Sequence, residues 1–131
     1  MMAFDALWTN KLGLQDQFVN YWFHTSRALG QNPYVVGFDP LNEPFPGMVL
    51  QKPKLNLSGH FDKNQLTPVY ERVFEVYQAN NEDSIMWFEP GQYPDEIGIL
   101  GGIVRPVGFE KPPGGEIGSN KHVLNDHTYC C

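Results

Sequence analysis

Apolar residues recur at helical spacing in two stretches of the chain. From Gln15 to Leu29, large apolar side chains return every three or four residues and predict one helix, with Gly30 as its left-handed C-cap. A second helix is predicted from Thr67 to about Asn80, with Thr67 as the N-cap and Pro68 at the first helical position. The aromatic side chains of the first helix are expected in the core: Phe18, Tyr21 and Trp22.

Three short apolar runs predict strands at residues 34–38, 85–88 and 122–129. Continuous apolar character is typical of strands that are covered on both faces, as in a parallel sheet. Loops rich in glycine and proline, at about 44–65 and 90–121, separate these runs. The alternation of helices and strands therefore predicts an α/β fold with parallel strands.

The predicted strand ends follow one another at intervals of about 40 to 46 residues, which is the repeat expected of βα units. An eight-unit (β/α)8 TIM barrel needs about 250 residues, and 131 residues supply about three strands. We therefore expect residues 1–131 to be the central fragment of a single barrel domain. Both ends are expected to be truncations, because the first residues lack a signal-peptide pattern and the last strand runs into Cys131.

Composition removes several classes of function. A net charge of −6 without a basic run argues against nucleic-acid binding. No run approaches the roughly 20 apolar residues of a membrane span. His24 and His60 lack partners at ligand spacing, and Cys130-Cys131 is neither a disulfide framework nor a metal set, so no metal is predicted. Asn56-Leu57-Ser58 matches a glycosylation sequon, a mild indication of a secretory route.

Polar side chains follow each of the three predicted strands. In parallel barrels the carboxyl ends of the strands form the rim where active sites are built. We therefore expect these side chains to converge on one site: Asn42-Glu43, Glu89, and Asp126-His127 with Tyr129.

Two of these clusters resemble a known family. Leu41-Asn42-Glu43-Pro44 is similar to the Asn-Glu-Pro signature of glycoside hydrolase family 5, and His127-Thr128-Tyr129 resembles the His-x-Tyr of its sixth strand. The wider sequence from about 34 to 131 is similar to the endoglycoceramidase branch. The segments that carry this closer resemblance are Gly37-Phe38-Asp39-Pro40 before the first motif, Phe45-Pro46-Gly47 after it, Gly108-Phe109, and Pro112-Pro113-Gly114-Gly115.

The resemblance implies a retaining O-glycosyl hydrolase that cleaves the oligosaccharide–ceramide bond of glycosphingolipids. Its three strands would be the fourth to sixth of the barrel. Glu43 would be the acid/base, Asn42 would bind the sugar 2-hydroxyl, and Tyr129 would contact the nucleophile. The nucleophile itself would lie on the seventh strand, beyond Cys131. We predict that His127 contacts substrate or nucleophile, and that Glu89 contacts a substrate subsite rather than acting as nucleophile.

The same resemblance implies no cofactor, because two carboxylates suffice for this chemistry. It implies a glycosphingolipid or oligosaccharide as the substrate, and peripheral access to membrane lipid is compatible with such a substrate. The parent protein is expected to be secreted or lysosomal, and the oligomeric state is left open.

Other readings stay open at this point. Glu43 could simply end a strand, and His127 could be a core histidine. The chain could be a non-catalytic glycan- or lipid-binding remnant, or part of a family member that acts on β-glucan or mannan. The isolated chain is expected to be inactive and poorly soluble, since three strands leave open sheet edges.

Overall fold

The computed structural model describes residues 2–57, 59–91 and 107–127. This part of the chain contains three helices and three strands. The helices are α1 (Met2–Trp8), α2 (Leu14–Leu29) and α3 (Thr67–Asn80), and the strands are β1 (Gly37–Phe38), β2 (Ile85–Phe88) and β3 (His122–Leu124). The predicted helix at 15–29 and the predicted strand at 85–88 are confirmed, whereas α1 was not predicted.

The three strands form one parallel sheet in the order β1-β2-β3. Phe38 lies opposite Met86, and Met86 lies opposite His122. The predicted parallel arrangement is therefore confirmed. Because all three strands run the same way, the residues that follow them lie at one edge of the sheet.

The core lies between α3 and the sheet. Side chains on one face of α3 meet the buried side chains of the strands, and the ring centroids of Phe38 and Tyr77 lie 5.0 Å apart. On β2, Met86 and Phe88 are buried while Ile85 and Trp87 are only half-buried, so one face of this strand packs into the core. The buried positions of α3 are Val69, Tyr70, Val73, Phe74 and Tyr77.

The first strand is shorter than predicted. Only Gly37 and Phe38 pair with β2, while Tyr34 and Val36 are 91% and 66% exposed. Their apolar character suggested a strand covered on both faces, but the only strand that pairs with β1 within the described residues is β2. Tyr21 is also wrongly assigned to the core, since it is 59% exposed; Phe18 and Trp22 do pack against the core.

Gly30 is the C-cap of α2, but its predicted left-handed conformation is wrong, and so is the prediction of Thr67 as an N-cap. Gly30 has a right-handed φ of −64°. Thr67 lies inside continuous helix, because a π-helical turn at Asp62–Leu66 runs directly into α3. The Thr67 hydroxyl donates to the carbonyl oxygen of Asp62 at 2.7 Å instead of capping a free helix end. The predicted loop at 44–65 also contains a 3-10 helix at Pro53–Asn56.

The last predicted strand extends only to Leu124, and residues 125–127 continue as irregular chain. The predictions for Tyr129, for Cys130-Cys131 and for Ser58 of the sequon fall outside the described residues. Within the described ranges, none of the helices combines the length and the apolar character that crossing a bilayer requires.

Candidate active site

Of the predicted site residues, Glu43, Glu89 and His127 meet at one edge of the sheet. His127 lies between two carboxyl groups: its Nδ1 is 2.9 Å from Oε1 of Glu43, and its Nε2 is 3.2 Å from Oε1 of Glu89. The backbone N–H of Glu43 donates to Oε2 of Glu89 at 2.6 Å. The segment after each of the three strands thus contributes at least one titratable group to a single connected cluster.

The loop that carries Glu43 is held in an unusual conformation. Glu43 has φ of +49°, in the left-handed region that non-glycine residues rarely adopt. Pro44 and Pro46 follow and are fully buried. Their rings restrict φ at two of the next three positions, which limits the path of the loop. The indole N–H of Trp8 donates to the carbonyl oxygen of Phe45 at 3.0 Å. Helix α1 therefore anchors the loop directly after Glu43.

Glu89 is buried beneath the loop that carries Glu43. It is 1% exposed, whereas the side chain of Glu43 is 35% exposed. The hydroxyl of Tyr70 on α3 donates to the carbonyl oxygen of Glu89 at 3.1 Å and accepts the Glu89 N–H at 3.3 Å. A buried side chain on the core helix therefore fixes the backbone from which the Glu89 carboxyl group projects.

Asp39 and Asn125 complete the cluster, and sequence reasoning missed both. The side-chain amide of Asn125 donates to Oδ2 of Asp39 at 3.0 Å and to Oε1 of Glu89 at 3.1 Å. Asp39 also accepts the backbone N–H of Leu41 at 3.3 Å. Its position directly after β1, like that of Asn125 directly after β3, was the signal that could have identified them.

The electrostatics of the cluster follow from this packing. Burial raises the pKa of Glu89, and proximity to Asp39 raises it further, while the N–H of Glu43 and the imidazole of His127 act in the opposite direction. The hydrogen bond to Glu43 raises the pKa of His127, and the negative charges of Glu89 and Asp39 add to this effect. The protonation of Glu89 and that of His127 are therefore linked through their contacts.

Asn42 is exposed beside Glu43, and Asp126 is exposed beside His127. The side chain of Glu43 and the open surface next to it could meet a solute, whereas Glu89 could not without movement of its neighbours. Within residues 2–57, 59–91 and 107–127, no group of three His, Cys, Asp or Glu side chains has an arrangement that could hold a metal ion.

Sequence comparisons connect this site to characterised proteins. The chain is 32% identical over 127 residues to an endoglycoceramidase of Hydra vulgaris and 29% identical over 127 residues to one of Cyanea nozakii. Both alignments cover 97% of this chain. The chain is therefore similar to these two endoglycoceramidases over nearly its whole length. It spans only 23% and 24% of the length of these two relatives. No protein-family model matches the chain.

Solved structures of an endoglycoceramidase share the fold. Endo-glycoceramidase II from Rhodococcus sp. in complex with ganglioside GM3 superposes with a TM-score of 0.73 at 23% identity. The same enzyme with a cellobiose-like isofagomine gives 0.71 at 24% identity. Each match covers 98% of this chain and 26% of the endoglycoceramidase chain. The parallel sheet and helices described above thus correspond to one segment of that enzyme.

Proposed function

We propose that this chain is the central part of a retaining glycoside hydrolase, with Glu43 as its acid/base. The observation that carries the proposal is the position of Glu43: a partly exposed carboxyl group at the carboxyl end of a parallel strand, in hydrogen-bond contact with His127. The endoglycoceramidase relatives support the same reading over nearly the whole chain.

In the proposed fold, β1, β2 and β3 are the fourth, fifth and sixth strands of a (β/α)8 barrel, and residues 1–131 form the middle of that single domain. The shared parallel direction of the strands supports this arrangement. So does the match to 26% of the Rhodococcus enzyme, since three βα units make up only part of a barrel protein.

Glu43 would act twice. In the first step its proton passes to the glycosidic oxygen, because an alkoxide is a poor leaving group. In the second step the resulting carboxylate removes a proton from the water that frees the sugar. Asn42, which is exposed beside it, would donate to the sugar 2-hydroxyl. Both steps need a carboxyl group that reaches the substrate, as the exposed side of Glu43 does.

A retaining enzyme needs a second carboxylate as nucleophile, about 5 to 5.5 Å from the first with the sugar between them. Glu89 does not suit this role. It is 1% exposed, and the ring of His127 stands between it and Glu43. We therefore propose that the nucleophile lies on the seventh strand of the barrel, outside residues 1–131, and that Tyr129 and His127 approach it. The isolated chain should then be inactive.

The proposed substrate is a glycosphingolipid, and the cleaved bond is the one that joins the oligosaccharide to ceramide. The name shared by the two relatives and the ganglioside complex of the Rhodococcus enzyme support this choice over β-glucan or mannan. Such a substrate would bring the protein to membrane lipid from the surface.

The test uses the complete protein translated from the gene that encodes this chain. We expect it to release oligosaccharide from a ganglioside and to leave soluble β-glucan intact. Glu43→Gln should lower turnover of the ganglioside by about 10² to 10⁴-fold. An aryl glycoside with an activated leaving group needs little protonation, so its first step should be largely spared. Azide, which attacks without a general base, should then restore its turnover.

Glu110→Gln is the matched control, because Glu110 is an exposed carboxylate paired with Lys63 at the surface. It should leave both activities unchanged. Equal loss of both substrates in Glu43→Gln, without rescue by azide, would remove the acid/base assignment. Hydrolysis of β-glucan but not of ganglioside would leave that assignment in place and overturn the choice of substrate.

A further inference from the structure

The buried carboxyl group of Glu89 has no role in the chemistry proposed above, yet it contacts several other groups of the site. Its Oε2 accepts the backbone N–H of Glu43 at 2.6 Å, and its Oε1 lies 3.2 Å from Nε2 of His127. The side-chain amide of Asn125 donates to the same Oε1 at 3.1 Å. A side chain that is 1% exposed and fully engaged with its own chain orients its neighbours rather than contacting solute.

The first contact stabilises the backbone of Glu43. A left-handed conformation disfavours any residue with a Cβ atom, and it persists only where the surroundings fix it. Glu43 has φ of +49°, and its N–H points at the Glu89 carboxyl group. A hydrogen bond from an N–H to a buried carboxyl group is among the stronger kinds in proteins. Glu89 therefore holds the turn that aims the Glu43 side chain.

The second contact selects the tautomer of His127. In neutral imidazole one ring nitrogen carries hydrogen and the other accepts. The oxygen of Glu89 beside Nε2 already receives the Asn125 amide and acts as an acceptor. The hydrogen therefore belongs on Nε2, and Nδ1 is left as the acceptor that faces Oε1 of Glu43.

This tautomer lets Glu43 keep its proton. A protonated Glu43 can donate from Oε1 to the bare Nδ1, and when the proton moves to the ring, Glu43 becomes a carboxylate beside an imidazolium. The opposite tautomer would present an N–H to Glu43 and favour its ionised form. A general acid has to be protonated before it reacts, so the tautomer matters for the first step.

We propose that Glu89 is a positioning residue for Glu43, acting through the left-handed backbone of Glu43 and through the Nε2–H tautomer of His127. This inference rests on the proposed role of Glu43 as acid/base. It replaces the substrate contact that the sequence alone predicted for Glu89.

Asp39 and Tyr70 support this arrangement. The carboxyl groups of Asp39 and Glu89 contact each other, and such a contact needs one proton between them. Burial raises the pKa of Glu89, which makes this shared proton harder to remove. The described titratable groups that face Glu89 are then Asp39 and Glu43 after β1, Tyr70 on α3, and His127 after β3.

The first experiment needs no enzymatic activity. Nitrogen and carbon chemical shifts of the His127 ring, followed by NMR across the pH range in the complete protein, report both its tautomer and its pKa. We expect the neutral wild-type ring to carry hydrogen on Nε2. In Glu89→Leu, the tautomer should move to Nδ1–H and the pKa of His127 should fall, because an acceptor and a nearby negative charge are both lost.

Two further variants test whether the change at His127 is specific to the loss of the Glu89 acceptor. Glu89→Gln keeps an acceptor oxygen and should keep the Nε2–H tautomer. Glu110→Leu makes the same chemical change as Glu89→Leu at a surface carboxylate whose side chain is 76% exposed, and it should alter neither property. If Glu89→Leu does not fold, the wild-type protein still decides: a neutral ring with hydrogen on Nδ1 would overturn the proposal.

The second experiment is kinetic. Glu89→Leu should lower kcat by about 10²-fold, the loss expected from misplacing a catalytic group, with KM nearly unchanged. Glu89→Gln should recover most of that loss. The basic limb of the kcat/KM profile should move to lower pH in Glu89→Leu, because Glu43 would ionise more easily. A raised KM with normal kcat would mean that Glu89 contacts the substrate, and it would overturn the proposal.

The two proposals fail in different ways. A wild-type protein that cleaves no glycoside would refute the function, while the NMR titration would still show whether Glu89 sets the state of His127. An active protein in which Glu89→Leu keeps normal kcat, pH profile and tautomer would refute only the positioning role.

Discussion

Two tyrosines of α3 provide a direct test of how this fold is held together. Tyr70 and Tyr77 lie two turns apart, and both are 0% exposed. The hydroxyl of Tyr70 makes two hydrogen bonds with the backbone of Glu89, at 3.1 and 3.3 Å. The hydroxyl of Tyr77 is buried with no hydrogen-bond partner in the described part of the chain. Removing the same atom from each should therefore have opposite effects.

In Tyr70→Phe, two hydrogen bonds are lost and the buried N–H and carbonyl of Glu89 lose a partner. We expect a loss of about 2 to 4 kcal/mol in the free energy of unfolding. In Tyr77→Phe, a buried hydroxyl without a partner is removed, and its burial costs about 1 to 3 kcal/mol. This variant should be more stable than the wild type by up to that amount. Neither change leaves a large cavity, because the ring remains.

The assay is urea denaturation of the complete protein, followed by circular dichroism and tryptophan fluorescence at constant pH. Both variants should retain the wild-type slope with denaturant, so that the midpoints report stability. Tyr21→Phe is the control, because Tyr21 is 59% exposed and should change little. If Tyr77→Phe were destabilised as much as Tyr70→Phe, hydrogen-bond satisfaction would not be what distinguishes the two positions.

Three further predictions follow from other parts of the molecule. The buried carboxylate of Asp62 accepts the N–H groups of Gly91 and Gly108 at 2.8 and 2.9 Å, so Asp62→Ala should cost about 2 to 4 kcal/mol and speed hydrogen exchange at both amides. Burial lowers the pKa of His122, so the unfolded state binds a proton more tightly than the folded state does. The free energy of unfolding should therefore fall as the pH drops below about 6.5. Urea midpoints at pH 7.5 and 5.5 should show this fall in the wild type but not in His122→Gln. At Glu43, where φ is +49°, glycine should be more stable than alanine by about 1 kcal/mol in the same assay, and equal stability would mean that the backbone there is unstrained.

The order and direction of the strands could be predicted from the sequence because they follow from local pattern. Short apolar runs that alternate with predicted helices are compatible with few chain topologies. The structure has the parallel sheet that this alternation indicates. The length of β1 could not be predicted in this way. Tyr34 and Val36 have the composition of a buried strand, but pairing depends on a neighbour, and β2 meets only Gly37 and Phe38.

The residues of the site were likewise predictable only in part. Glu43, Glu89 and His127 were identified because each follows a strand, and the structure brings them into contact. Their exposure could not be predicted from the sequence, since Glu43 and Glu89 each precede a proline and follow an apolar run. Yet the side chain of Glu43 is 35% exposed and that of Glu89 is 1% exposed. Asn125 was missed because its role depends on reaching Asp39 and Glu89 across two strands. The chemical roles of these residues stay predictions.

The strained turn at Glu43 links the stability of the fold to the geometry of the site. A left-handed conformation costs about 1 to 2 kcal/mol for a residue with a Cβ atom, and a hydrogen bond to a charged group contributes about 1.5 to 3 kcal/mol. The bond from the Glu43 N–H to Glu89 is therefore sufficient to hold the turn. Since Tyr70 fixes the backbone of Glu89 from the core helix, loss of its hydroxyl should disturb the orientation of Glu43 as well as stability. The orientation of the proposed acid, Glu43, thus depends on contacts that extend from the edge of the sheet into the core.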